Sequence, residues 1–426
     1  MNIRFYNVRI LTMEEGRPIF TGELWVRDGR IAYAGSEPDP VLRREMAWDR
    51  EIDGQGDLLM PGFKNGHAHS AMTFLRSYAD DLPLADWLNV QVFPMEAKLT
   101  PENIYHLTKL AILEYLTSGI TAAADMYLTP ETIAQASAEC GFRTVIVGGM
   151  NDFSQSVPEM ESWYQTYNHY DDLVSFQLGI HAEYTTSRGL IEDMAALAEK
   201  FQAPVCCHNS ETASEVQGCL ERNGMTPTAW LDHLGLFRYG GTSYHCIYLT
   251  EEDMEIFRER GLWAVTNPAS NMKLASGIAP VKTLLGKGIP MGIGTDGPAS
   301  NNCLDMFREM FLVAALAKLK DMDAAALDAR TVLRMATVGG AGSMGLTDCD
   351  VLAEGKEADL IRIDLHQPNM QPINHIEKNL VYSGSKMNVR MTMIHGRILY
   401  ENGEFFIGED PEAVYAKANE IIRSMR

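Results

Sequence analysis

A chain of 426 residues, 46% of them hydrophobic, can bury one large core and still supply a smaller module. Its 57 acidic against 36 basic residues leave a formal net charge of -21, which excludes the nucleic-acid backbone and anionic membrane surfaces as natural partners. No run of about twenty apolar residues offers a membrane span.

The opening residues, Met1 to Leu11, lack the uninterrupted apolar core and small-residue cleavage site of a signal peptide, which predicts a cytoplasmic location. Seven scattered cysteines (Cys140, Cys206, Cys207, Cys219, Cys246, Cys303 and Cys349) are an odd number, in a chain too long to need disulfide staples. Reduced thiols in a reducing compartment follow.

From about Leu58 to Asp296, short apolar runs alternate with helical patterns, the signature of parallel strand-helix units. The strand-like runs are Leu58 to His67, Ile120 to Met126, Phe142 to Gly149, Val174 to His181, Ala203 to His208, Thr242 to Cys246, Leu262 to Asn267 and Ile289 to Asp296. Between the first two, Thr100-Pro101-Glu102 reads as an N-cap, a first-turn proline and an acid near the helix dipole. Ile104, Leu107, Ala111 and Tyr115 then share one face of a crossover helix.

Eight such units predict an α/β fold, a (β/α)8 barrel with catalytic residues at the C-terminal strand ends. An open doubly wound sheet competes, but no glycine-rich dinucleotide loop follows the first strand. Residues 1–57 and 351–426 carry short runs separated by Asp-Gly, Asn-Gly and Gly-Arg turns. They predict a small flanking β-sandwich built from both chain ends, with the barrel over residues 58–350.

His67-Ala68-His69 closes the first run, and alternation along an extended chain points both imidazoles the same way. Alone, such a pair is weak, because it also serves in turns. His208, His245 and Asp296, however, end the fifth, sixth and eighth runs, and all would converge on one barrel mouth. In a chain with only 11 histidines this convergence points to a metal centre.

Four segments carry a family resemblance: Pro61 to His69, His208-Asn209-Ser210-Glu211, Thr266 to Gly277, and Gly294 to Asn302. In this order they resemble the aminohydrolase branch of the amidohydrolase superfamily, and within it the methylthioadenosine and S-adenosylhomocysteine deaminases. The likeness extends over almost the whole chain. It implies one divalent metal ion, zinc or iron, held by His67, His69, His208 and Asp296, with His245 touching the water and not the metal. It also places His181 against the substrate. Related binuclear enzymes bridge two metals through a modified lysine at the fourth strand end; here His181 stands there with no lysine nearby, which favours one ion.

A divalent ion with an open position lowers the pKa of water from near 16 to about 7. Glu211 is then expected to protonate the ring nitrogen beside the carbon that carries the exocyclic amine, while His245 and Asp296 orient the water and carry its proton toward departing ammonia. In isolation Glu211 reads equally as a helix-capping carboxylate. His181-Ala182-Glu183 imitates the motif of the unrelated cytidine-type zinc deaminases, but their Pro-Cys-x-x-Cys element is missing. Cys206 and Cys207 read as packed strand residues.

Trp87 and Glu96 lie in the long segment after the first run, where barrels build pocket walls. The resemblance assigns the acid to ribose hydroxyls and the tryptophan to packing on the nucleoside; the plain alternative is a core tryptophan and a surface glutamate. Gly149 to Asn168 contains no Lys or Arg, where relatives that accept a homocysteine tail supply arginines. Methylthioadenosine, 5′-deoxyadenosine or adenosine is therefore favoured over S-adenosylhomocysteine. A deaminase or dechlorinase of another heterocycle (guanine, a pterin, an s-triazine) and a non-catalytic barrel scaffold are the competing readings, and the partner expected besides the small-molecule substrate is a further copy in a homo-oligomer.

Overall fold

The first crossover helix shows how local sequence sets the frame. In the computed structural model, which describes residues 1–38, 40–78, 80–82 and 87–425, this helix runs Pro101–Thr117. Thr100 and Asn103 form a reciprocal capping box that satisfies two N-terminal donors. Ile104, Leu107, Ala111 and Tyr115 are buried along one face, as the spacing predicts.

The strands of the barrel are Phe63–Ala68, Ile120–Met126, Arg143–Val147, Val174–Ala182, Val205–Asn209, Gly241–His245, Leu262–Thr266 and Met291–Ile293, paired in parallel in chain order. The last meets the first beyond its end: the His67 carbonyl accepts from the Thr295 and Asp296 amides at 3.1 and 3.0 Å, and Ala68 bridges Asp296. Closure thus falls among the candidate ligands.

A second, nine-stranded mixed sheet uses both chain ends, and apolar residues from its two halves, such as Ile3, Phe5 and Leu24 with Leu360, Met391 and Met393, share one core. One expectation is corrected here. Leu58 to His67 is not a single barrel strand: Leu58–Pro61 pairs with Ile3–Ile10 and with Leu360–Ile363 in the terminal sheet, and only Phe63–Ala68 enters the barrel. The break is at Gly62, where any Cβ would lie 2.1 Å from Thr121 Cγ2.

Charge ties sheet to barrel. The buried Asp359 carboxylate accepts from Arg143 Nε at 2.8 Å and from the His395 amide at 2.9 Å, with Lys64 Nζ at 3.9 Å. Truncating the acid would leave two buried cations short of a partner, a loss of about 3–5 kcal/mol. Among the described residues no helix is long and apolar enough to cross a membrane.

Candidate metal centre and active site

His67 is fully buried and stacks on Tyr244 with ring centroids 3.8 Å apart, yet neither of its ring nitrogens has a hydrogen-bond partner among the described residues. An unpaired buried polar group costs about 1–3 kcal/mol, so this imidazole is built for a partner the chain itself does not supply. Its Nε2 lies 3.6 Å from Asp296 Oδ1, and His69 Nε2 lies 3.2 Å from the same oxygen. His69 Nδ1 is engaged by the Met126 carbonyl and His208 Nδ1 by the His181 carbonyl at 2.7 Å, which leaves Nε2 as the ligand nitrogen of each ring. Gly294 makes room beneath them: a Cβ there would sit 2.8 Å from His67 Cβ.

Ligand atoms of His67, His69 and Asp296 fall within 4.8 Å of one another, and so do those of His67, His208 and His245. Burial and the neighbouring imidazoles hold His67 and His208 well below the usual histidine range, in the neutral form a ligand needs. Burial alone would raise Asp296, but the His69 hydrogen bond and the His245 charge outweigh it and keep the carboxylate ionised. One carboxylate oxygen donor among imidazole nitrogens, with an orphaned His67, fits a divalent ion of the zinc type.

Beside this cluster, His245 Nε2 faces Glu211 Oε2 at 3.8 Å and Asp296 Oδ2 at 3.9 Å. Ser276 Oγ donates to Glu211 Oε1 at 3.3 Å. His181, whose Nδ1 meets Thr185 Oγ1 at 2.9 Å, is held down to about 4 by burial and the His69 charge. His69, His181, His208, Glu211, His245 and Asp296 line one cavity of about 570 Å³, together with Trp87 and Glu96. Trp87 is buried; Glu96 accepts from the Tyr127 hydroxyl at 2.6 Å.

Every candidate metal, catalytic and substrate residue named from the sequence lines this cavity apart from His67, whose ring packs against those of His69, His208 and His245. Glu183 stands apart, paired with Arg222 at 2.6 Å, and Cys206 and Cys207 are buried in their strand. Sequence reasoning missed the residues that orient the others. Ser270 and Ser300 donate to Asp296 Oδ2 at 2.5 and 3.1 Å, and Asn271 Oδ1 meets His245 Nδ1 at 2.7 Å. Their one available signal was position, since all three lie in the segments following the last two barrel strands.

A parallel barrel with this donor set at its strand ends defines a class, the barrel hydrolases whose site is built to hold a cation. The chain belongs to the amidohydrolase family, whose profile matches residues 58–399. It is 39% identical over 406 residues to a 5-methylthioadenosine/S-adenosylhomocysteine deaminase of Syntrophobacter fumaroxidans, covering 93% of this chain and 92% of that one. An adenosine deaminase from Xanthomonas campestris with bound zinc superposes with a TM-score of 0.93 at 33% identity, covering 100% of this chain and 98% of that one. An atrazine chlorohydrolase from Arthrobacter aurescens complexed with zinc, at 23% identity and TM-score 0.89 over 99% and 100% of the two chains, shares the fold.

Proposed function

We propose that this chain hydrolytically deaminates an adenosine-type nucleoside, using one divalent ion, zinc by preference, held by His67, His69, His208 and Asp296. The observation that carries the reading is the pair of donor triads that share His67, with Glu211, His208, His245 and Asp296 on one cavity, in a chain similar over nearly its full length to named deaminases. When bound, such an ion supplies the Lewis acidity that makes water nucleophilic at neutral pH.

The protein's own groups do the rest. Glu211 delivers a proton to the ring nitrogen beside the amine-bearing carbon, which removes aromatic stabilisation at the point of attack. His245 holds the water's proton at Nε2 and passes it toward the leaving ammonia, supported by Asp296. Trp87 packs on the nucleoside, Glu96 accepts from the ribose hydroxyls, and His181 contacts the base.

No Lys or Arg lines the cavity among the described residues. Two arginines elsewhere in the chain have partners of their own, Arg188 with Glu192 at 2.8 Å and Arg76 with Glu114. A carboxylate tail entering this space would lose water without gaining a charge-assisted partner, so uncharged 5′ groups are favoured over S-adenosylhomocysteine. Ammonia release by the zinc-loaded protein, measured against adenosine, methylthioadenosine, S-adenosylhomocysteine, guanine and an s-triazine, tests the reading. The expected result is turnover of the adenosine nucleosides, with at least about a tenfold kcat/KM advantage, roughly 1.4 kcal/mol, for uncharged tails. Turnover confined to guanine or the triazine would overturn it.

A further inference from the structure

Phe153 is 88% exposed, the most exposed of the chain's large hydrophobic residues among those described, and it lines the cavity of the candidate site. Its position is not loose. Asn151 Oδ1 accepts from the Phe153 and Ser154 amides at 2.9 and 3.0 Å, and the Asp152 amide donates to the Thr185 carbonyl at 3.0 Å. Gln155 adds a brace, accepting from the Gly149 amide at 2.8 Å and donating to the Tyr127 carbonyl at 3.1 Å. Backbone hydrogen bonds thus hold an apolar ring in water at the cavity rim.

Phe153 is not alone. Phe93, 44% exposed, and Tyr184, 41% exposed, also line the cavity, and the three come from the segments after the first, third and fourth barrel strands. Single exposed aromatics are ordinary on protein surfaces. Three from separate segments on one cavity, with no Lys or Arg among the described lining residues, make a surface whose exposed carbon gains by being covered.

The direction of a bound nucleoside follows from burial. The ligand cluster is the closed end, with His67 at 0% and Asp296 at 6% exposure, and Phe153 marks the open end. In an adenosine the exocyclic amine and the 5′ carbon lie at opposite ends of the molecule. With the amine at the cluster, the 5′ substituent reaches the aromatic rim.

We propose that Phe153, with Phe93 and Tyr184, forms a specificity subsite that takes an uncharged apolar 5′ substituent, such as a thioether, by covering it with aromatic carbon. The proposal rests on the nucleoside reading above and adds to it the residue that selects among tails. An apolar tail buries its own surface and that of Phe153 together; a 5′ hydroxyl covers less of that carbon, and a zwitterionic tail loses water with no Lys or Arg among the described lining residues.

The test measures kcat/KM for methylthioadenosine, adenosine and S-adenosylhomocysteine with the zinc-loaded wild type, Phe153→Ala and Phe153→Arg. Because the ring is exposed and makes few internal contacts, its replacement leaves the fold standing, and the ratio between substrates cancels any general loss. The methylthioadenosine-to-adenosine ratio is expected to fall at least about fivefold in Phe153→Ala. The S-adenosylhomocysteine-to-methylthioadenosine ratio is expected to rise about tenfold or more in Phe153→Arg. A wild type that deaminates adenosines while both ratios stay within twofold in the variants overturns the subsite and spares the deaminase reading. A wild type that deaminates no adenosine derivative overturns both.

Discussion

Asn271 Oδ1 lies 2.7 Å from Nδ1 of His245, and an amide oxygen can only accept, so Nδ1 carries a proton and Nε2 is the ring nitrogen turned toward Glu211 and Asp296. The Nδ2 of Asn267 approaches the same Nδ1 at 3.4 Å, too long to compete. The Asn271 contact fixes the Nδ1 proton as well as the ring orientation.

Asn271→Ala should therefore lose about tenfold or more in kcat with its metal content and KM little changed, the usual scale for removing the partner that orients a functional histidine. Asn271→Asp retains the acceptor and should recover most of the loss. Steady-state kinetics on metal-quantified protein decides it, and an unchanged kcat in the alanine variant would remove Asn271 from the reaction.

Glu211→Gln separates chemistry from metal binding. The variant should keep its ion and lose roughly a hundredfold or more in turnover, because the amide cannot deliver the ring proton. Undiminished turnover in a variant shown to carry its ion would refute the assignment.

Glu309 gives a pH signature outside the ligand cluster. It is fully buried, accepts from the Ala269 amide at 3.0 Å and from Asn301 Nδ2 at 2.8 Å, and burial pushes it up to about 8. A carboxyl raised from its ordinary value of 4.5 binds its proton more tightly folded than unfolded. Its contribution to stability is complete below the unfolded value and is lost as pH rises through about 8, on the order of a few kcal/mol across the window. Glu309→Gln cannot ionise, so its Tm relative to wild type should climb between pH 5 and 9. Parallel curves would show that Glu309 stays ionised in the fold.

How much of this was legible beforehand depends on whether the signal was local. His67 and His69 could be read because a strand's period of two is written in adjacent residues, and His208, His245 and Asp296 because each stands at the end of an apolar run. The passage from terminal sheet to barrel at Gly62 was hidden, since Leu58-Leu59-Met60 and Phe63 are equally buried in two different sheets and form one apolar run. Ser270, Asn271 and Ser300 were hidden for another reason. Serine and asparagine are ordinary loop residues, and the partner of Ser270 lies 26 positions away, as does that of Asn271. The missing cations after the third strand were visible as an absence, but Phe153 acquired meaning only from its exposure on the cavity rim.

The central claim is that one ion, held by His67, His69, His208 and Asp296, drives the hydrolytic deamination. Its most direct test is a titration of chelator-stripped protein with zinc while methylthioadenosine deamination is followed. Activity should be absent at the start, rise in proportion to added metal and level off at one equivalent per chain, and His208→Ala should fail to reach it. Full activity in the stripped protein, or a plateau only at two equivalents, would contradict the account.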